Sequence, residues 1–186
     1  MVGPMTELRA DANIPFPREL VYRTYRDKLP DLVPFLPNIR AIEVKSRREE
    51  PGVVHLVNVW HGGGDIPAAA RAFLSESMMS WTDIATWRDA DFSVEWKTET
   101  HAFTEAVRCG GINRLVETGP DGVRFEIRGE ISIDPKKIPV PRLISGRVAA
   151  AVEEFLLKKI TPNLMAVSDG VRRFLEQERD KAGSRV

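Results

Sequence analysis

The last part of the chain carries apolar residues at helical spacing. Between positions 143 and 178 they recur every three to five residues, which is the period of one face of an α-helix. They are Ile144, Val148, Val152, Phe155, Ile160, Leu164, Val167, Val171 and Phe174. The pattern predicts one long amphipathic helix over 143–178, with a kink at Pro162 because proline removes a helical hydrogen bond.

The middle of the chain, 39–134, instead shows the alternation of β-strands. In 123–134, apolar residues alternate with charged ones, which is typical of a strand with one buried face. A Pro-Gly pair at 51–52 predicts a hairpin between 39–46 and 53–61. Gly110 and Gly111 interrupt another strand pattern and predict a β-bulge. These signals predict an antiparallel sheet of six or seven strands.

The N-terminal region adds one strand and two short helices. Leu8, Ala10, Ala12 and Ile14 share one face of a strand that ends at two prolines. Pro17 suits the first turn of a helix, and further prolines divide the segment 29–37 into a helical turn and a loop.

The order of these elements resembles the helix-grip fold of the START-like SRPBCC superfamily, which includes lipid-transfer START domains, pollen-allergen-like proteins and polyketide cyclases. The resemblance covers about 6–178, and includes phrases such as IPFPRELVYRTYRDKLPDLVPFLPNI and ITPNLMAVSDGVRRFLEQ. It implies a single α+β domain over 1–186, with a curved antiparallel sheet wrapped around the C-terminal helix. It also implies a hydrophobic pocket between them. Cyclases of the superfamily differ in their polar pocket residues, so no catalytic residue is carried over.

Composition narrows the classes of partner. Of the 186 residues, 42% are hydrophobic, which suffices for one sizeable core. Lys plus Arg (27) balances Asp plus Glu (27), so no net charge attracts nucleic acid. The N-terminus lacks a basic segment followed by an apolar stretch, which favours a cytoplasmic protein. Cys109 has no second cysteine to pair with, and no cofactor or metal site is expected.

A ligand in the predicted pocket would contact inward-facing apolar residues of the sheet and helix. The candidates are Trp60, Trp87, Phe92, Trp96, Phe125, Ile127, Gly129, Val148, Val152 and Phe155. Gly129 leaves room on its face for a bulky neighbour or for the ligand. The strand 53–61 is apolar on both faces, so alternation does not decide whether Val59 or Trp60 points inward.

Few residues indicate chemistry. His55 and His61 are six positions apart, about 20 Å along a strand, too far to share a metal ion. His55 or His101 would serve as a general base if it faced the pocket. The carboxylates considered, Asp65, Asp83 and Glu99, lie among exposed charges and are expected to be solvated. Cys109 is expected to be a small buried hydrophobe.

The segment 62–80 begins with three glycines and continues with apolar residues but without a strand pattern. It predicts either a lid over the pocket, with transient membrane contact through 66–79, or a well-packed connection.

Three functions remain open at this point. The leading one is non-enzymatic binding or transfer of a small hydrophobic ligand, such as a lipid, sterol or polyketide, without nucleic acid. The second is an enzyme of the polyketide cyclase or dehydratase kind, which uses a histidine or carboxylate in the pocket. The third is a protein-interaction module.

Overall fold

The computed structural model describes residues 5–63, 75, 79–138 and 145–184. In the last helix, side chains are described at 154, 158, 162–164 and 166–184.

Seven strands, two α-helices and two 3₁₀ helices make up the described part of the chain. The strands are β1 (Met5–Ile14), β2 (Ile39–Glu50), β3 (Val53–Gly62), β4 (Ser80–Arg88), β5 (Ser93–Thr100), β6 (Val107–Gly119) and β7 (Gly122–Ile133). The helices are α1 (Arg18–Asp27), a 3₁₀ helix (Leu29–Phe35), a 3₁₀ turn (Pro135–Lys137) and α2 (Ser145–Gly183).

The strands form one antiparallel sheet in the order β1-β7-β6-β5-β4-β3-β2. From β2 to β7, each strand pairs with the next one in sequence, while α1 and the 3₁₀ helix carry the chain from β1 at one edge to β2 at the other. This arrangement confirms the predicted sheet and the two short helices after the first strand. Pro162 lies inside α2, and the kink predicted there stays a prediction.

The hairpin prediction at residues 51–52 is correct, and the conformation of Gly52 explains it. Strand β2 ends just before this pair and β3 begins just after it. Gly52 has φ +72°. Such a left-handed conformation is open to glycine without steric cost.

The bulge predicted at Gly110 and Gly111 is wrong. Both residues stay in continuous register with β5 on one side and β7 on the other. The apparent change of phase arises because Ile112 is an apolar residue on the outer face, where 36% of it is exposed. Irregular pairing occurs instead in β2, between Ile39 and Ala41 and between Val44 and Ser46, and at the end of β6, between Glu117 and Gly119.

The main core lies between the concave face of the sheet, α1, the 3₁₀ helix and the C-terminal part of α2. From α2 it receives Val167, Val171 and Leu175, which are at most 6% exposed. A smaller cluster lies under β1, β6 and β7, and Leu164 of α2 packs against both clusters. This packing holds the second half of α2 against the sheet. No helix in the described part of the chain is long and apolar enough to span a bilayer.

Candidate functional site

The register of the sheet collects polar residues in one row of its concave face. Asn58 of β3 pairs with Asp83 of β4, which pairs with Thr98 of β5, which pairs with Cys109 of β6. Paired residues of neighbouring strands point to the same face, with Cβ atoms about 5 Å apart. These four residues therefore form a continuous row, called here the polar row.

Asp83 lies in the middle of the polar row. It points to the concave side of the sheet and is partly exposed. Burial raises the pKa of its carboxyl to about 7, while a hydrogen bond from Asn58 Nδ2 to Oδ2, at 3.5 Å, lowers it in part. A carboxyl with a pKa near neutrality exchanges protons readily at physiological pH. The expectation that Asp83 is a solvated surface charge is therefore wrong.

Beside the polar row, Trp60, Trp81 and Thr100 form a second inward row. Trp60 pairs with Trp81 and Trp81 pairs with Thr100. The two indole rings stack with centroids 5.7 Å apart and planes 14° apart. Trp60 is 6% exposed and thus faces inward, which settles the orientation of β3. Trp81 is partly exposed, so the stack offers flat apolar surface next to Asp83.

Several buried polar atoms of this region have no hydrogen-bond partner in the described structure. They are Asn58 Oδ1, Trp60 Nε1 and Thr100 Oγ1, and their residues are at most 9% exposed. The large majority of buried polar groups in proteins are hydrogen-bonded, because an unpaired one costs about 1–3 kcal/mol. This part of the concave face therefore has unused hydrogen-bonding capacity.

Nearer α1, Trp96 and Asn113 satisfy each other, whereas Trp87 Nε1 has no hydrogen-bond partner in the described structure. Trp96 donates its indole N–H to Asn113 Oδ1 at 2.8 Å, and both residues are buried. The Asn113 amide also lies close enough to Tyr25 to lower the pKa of the phenol in part, although burial raises that pKa overall. The space above Gly129 is filled by Trp96, whose ring carbons come within 2.9 Å of where a Cβ would lie. Gly129 thus serves a bulky neighbour.

The aromatic candidates nearest α1 pack against its tyrosines. Trp87 meets Tyr22 and Tyr25 edge-to-face, with ring centroids 5.3 and 4.8 Å apart. Phe125 has no exposed surface and lies 5.3 Å from the Tyr25 ring. These contacts are core packing between the sheet and α1.

The remaining candidates for the pocket lie before β5, in the main core or in α2. Phe92 precedes β5 with φ 50°, and its ring is covered by the Arg18 guanidinium at 4.1 Å. Ile127 is 3% exposed and belongs to the main core. The side chains of Val148, Val152 and Phe155 lie outside the described part of α2.

His55 and His101, the two candidate bases, and His61 all lie on the outer side of the sheet. His55 contacts Thr86 at 3.2 Å, His61 contacts Glu43 at 2.7 Å, and His101 contacts Thr82 at 2.9 Å. His55 and His61 alternate along β3 with the buried residues that face inward. None of these three histidines therefore faces the concave side of the sheet.

The two other carboxylates and the cysteine considered as reactive residues lie at the surface, outside the described residues or in the core. Glu99 accepts a hydrogen bond from Lys97 at 2.7 Å on the exposed surface, and Asp65 lies outside the described residues. Cys109 is 5% exposed, and burial raises the pKa of its thiol to about 12, so it is the unreactive buried residue that was expected.

The segment 62–80 is described only at Gly62, Gly63, Ser75, Met79 and Ser80, so the lid and its membrane contact through 66–79 fall outside the described residues. The first two glycines are held in place. Gly62 ends β3, and the Gly63 N–H donates to Asn38 O at 2.8 Å. A Cβ on Gly62 would lie 2.5 Å from Met79 O. Gly62 therefore permits a close approach of the backbone at Met79, and Gly64 lies outside the described residues.

The sequence did contain a signal for the polar row. In the segment WTDIATW, Trp81, Asp83, Ala85 and Trp87 have the same parity. An acidic residue between two tryptophans on one strand face is placed inward whenever the tryptophans are. The partner Asn58 is 25 positions away, and only the register brings it to Asp83.

Solved structures with the same fold include proteins that act on small molecules. Zhui aromatase/cyclase from Streptomyces sp. R1128 has a TM-score of 0.66 at 14% identity, with 97% of this chain and 99% of that chain covered. Norcoclaurine synthase from Thalictrum flavum, in complex with dopamine and hydroxybenzaldehyde, has a TM-score of 0.61 at 12% identity, with 95% and 89% covered. TTHA0849 from Thermus thermophilus has a TM-score of 0.59 at 20% identity, with 89% and 97% covered.

By sequence, no protein-family model matches the chain and no curated protein is significantly similar to it. The structural similarity extends over almost the whole chain at identities that carry the fold alone. The chain therefore has the helix-grip fold, and the resemblance to the START-like SRPBCC superfamily is confirmed at the level of architecture.

Proposed function

We propose that this protein binds a small, mainly apolar molecule with at least one polar group, between the concave face of the sheet and α2. The observation that carries the proposal is the half-buried Asp83 among aromatic residues on an inward-facing row. A closed core excludes a carboxyl, because burying it without a partner is costly. A carboxyl is tolerated where the concave face borders a cavity.

The apolar surface beside Asp83 supports the same proposal. The stacked Trp60 and Trp81 rings and the buried Leu56 flank the polar row on β3 and β4. Burial of apolar surface contributes about 25 cal/mol per Å², so aromatic walls supply most of the affinity of such sites. Neighbours with this fold include a cyclase and a synthase bound to aromatic compounds, which is in keeping with a small aromatic or polyketide-like ligand.

The proposal predicts saturable binding of a neutral apolar fluorophore such as N-phenyl-1-naphthylamine, with a change in tryptophan emission. Trp81→Ala removes the accessible ring of the stack and should weaken binding about tenfold, equivalent to about 1.4 kcal/mol. Fluorescence titration measures the affinity of each protein for the fluorophore. Native mass spectrometry of freshly purified protein detects a bound ligand.

Ile84→Ala is the matched control for that variant. Ile84 is on the same strand but on the outer face, where 38% of it is exposed, so it should bind the fluorophore as the wild type does. Absence of saturable binding to the wild type, or equal weakening by both variants, would overturn the proposal.

An enzyme of the polyketide cyclase or dehydratase kind is the second candidate, because the pKa of Asp83, about 7, suits a general acid or base. Such a base should accelerate exchange of the acidic C–H protons of an aromatic 1,3-diketone such as benzoylacetone. NMR in deuterated water measures this exchange. Acceleration that Asp83→Asn abolishes, while fluorophore binding is kept, supports the enzyme; equal exchange rates with and without protein leave binding as the function.

A further inference from the structure

Tyr25 of α1 packs against the concave face of the sheet without being sealed in the core. Its ring contacts Trp87 of β4 and Phe125 of β7, with centroids 4.8 and 5.3 Å apart. Tyr22, one turn earlier on α1, is 2% exposed, whereas Tyr25 is only partly buried. The two ring contacts hold the phenol in place, so its hydroxyl has a fixed position while part of the residue stays accessible.

A chain of polar contacts decides how the Tyr25 hydroxyl is used. The indole N–H of Trp96 can only donate, so the Asn113 atom that lies 2.8 Å from it is the carbonyl Oδ1. The amide nitrogen of Asn113 is thereby left for Tyr25, which agrees with the lowering of the phenol pKa by this contact. The Tyr25 oxygen accepts from Asn113, and its own O–H proton remains available to another acceptor.

Asp83 lies near Tyr25 but does not take this proton. Its negative charge raises the pKa of the Tyr25 phenol, without a hydrogen bond between the two side chains. The neighbouring Tyr22 differs, because it donates its hydroxyl proton to Asp89 Oδ1 at 3.1 Å. Among the described residues, Tyr25 is therefore a donor without an acceptor, and the gap between its hydroxyl and Asp83 is wider than one hydrogen bond.

A carbonyl oxygen of a ligand suits this donor. A carbonyl accepts hydrogen bonds and donates none, which matches a phenol whose oxygen is already engaged by Asn113. A ligand hydroxyl would bring a proton that needs an acceptor of its own. A carbonyl is also uncharged, so its removal from water costs less free energy than that of a carboxylate.

We propose that the Tyr25 hydroxyl is a specificity-determining hydrogen-bond donor of the binding site, and that it selects ligands with a carbonyl oxygen, such as aromatic ketones. The assignment rests on the proposed binding function and adds the chemical class of the ligand. In this arrangement Asn113 is a positioning residue, since it acts on the ligand only through Tyr25.

Two probes of nearly identical shape test the assignment on the wild type: 2-acetylnaphthalene and 2-isopropenylnaphthalene. They differ only in a C=O group that is replaced by C=CH₂. The ketone should bind about tenfold more tightly, equivalent to about 1.4 kcal/mol, because one net hydrogen bond distinguishes the two complexes. Tryptophan fluorescence and calorimetric titration measure both dissociation constants.

Tyr25→Phe then locates the preference, because it removes the hydroxyl and keeps the ring that packs on Trp87 and Phe125. The ketone should lose its advantage of about tenfold, while the affinity for the hydrocarbon stays the same. Tyr22→Phe is the matched control. It makes the same chemical change on the same helix, where the hydroxyl serves Asp89, and should leave the preference unchanged.

The infrared carbonyl band of bound 2-acetylnaphthalene gives a direct readout of the contact. A hydrogen bond to the carbonyl lowers the frequency of this band, so the band should lie lower in the wild type and in Tyr22→Phe than in Tyr25→Phe. A band that does not differ between the wild type and Tyr25→Phe would overturn the assignment even if the affinities changed.

The remaining outcomes separate this proposal from the binding function. Equal affinity of the wild type for the two probes overturns the role of Tyr25 while the binding function stands, as does equal loss of the preference in Tyr25→Phe and Tyr22→Phe. Binding of the fluorophore but of neither naphthalene also overturns only the role of Tyr25. Failure of the fluorophore and both probes to bind overturns both proposals.

Discussion

Asp83→Asn is expected to make the protein more stable than the wild type above about pH 7 and to remove most of the pH dependence of stability between about pH 4 and 7. In the wild type, burial raises the pKa of Asp83 from 3.8 to about 7 in the folded state. Between these values the folded protein holds a proton that the unfolded chain has lost. The free energy of unfolding therefore falls as pH rises through this window.

The expected size of the effect follows from the same shift. One pKa unit corresponds to about 1.4 kcal/mol, so the wild type should lose on the order of 2–4 kcal/mol across the window. Asparagine has nearly the same shape and no charge, so the variant avoids this loss. Urea unfolding at several pH values measures it, and NMR of the Asp83 carboxyl gives the pKa directly.

Glu95→Gln is the control for this prediction. Glu95 is an exposed carboxylate on the next strand, paired with Arg88 at 3.1 Å, and its neutralisation should leave the pH profile of stability nearly unchanged. If the Asp83→Asn profile instead runs parallel to that of the wild type, Asp83 titrates as an ordinary surface group and the account of the polar row is wrong.

Gly111→Ala is expected to destabilise the protein by about 3 kcal/mol or more, at the upper end for overpacking. A Cβ at this position would lie 2.2 Å from Arg128 O and 2.5 Å from Gly129 Cα. Both atoms belong to the backbone of β7, which cannot move away without disturbing its pairing with β6. Chemical denaturation with the linear extrapolation method measures the change.

Gly119→Ala is the matched control, because a Cβ there meets nothing within 4 Å and Gly119 has no left-handed φ. Its free energy of unfolding should stay within about 0.5 kcal/mol of the wild type. Equal stability of the two alanine variants would show that β6 and β7 lie farther apart than described. The close approach of Gly111 and Gly129 matters for the site, since Trp96 pairs with Gly111, packs over Gly129 and lies beside the polar row.

The fold followed from local patterns because helix and strand periods are properties of neighbouring residues. The alternation in 123–134 and the helical spacing in 143–178 predicted β7 and α2, and a Pro-Gly pair predicted the β2–β3 hairpin. The same alternation could not explain Gly110 and Gly111, because the reason for each glycine is a close backbone contact with another strand. Gly110 lies against the β5 backbone at Trp96, and Gly111 lies against β7, where it pairs with Gly129, 18 residues away.

The candidate site was predicted less well, since its residues come together only through strand pairing. Phe125 and Trp87 were sound choices for inward-facing residues but serve as packing partners of the tyrosines of α1. The histidines were chosen for their intrinsic pKa, whereas the structure places Asp83 inside and shifts its pKa by burial. The intrinsic pKa of a residue type suggests which residues are candidates. Burial and neighbouring groups then determine the pKa that a candidate has in the folded protein.

The sequence by itself determined the elements, their order and the inward parity of most strands, because these depend on side-chain spacing and turn residues alone. Only the tertiary structure decided that Asn58, Asp83 and Thr98 share one row, that the Trp60 ring faces inward, and that the histidines face outward. The physical reason is that the hydrogen-bond register between strands distant in sequence determines which side chains are neighbours. The neighbours in turn determine how far a side chain is buried, how its pKa shifts and whether its polar atoms are paired.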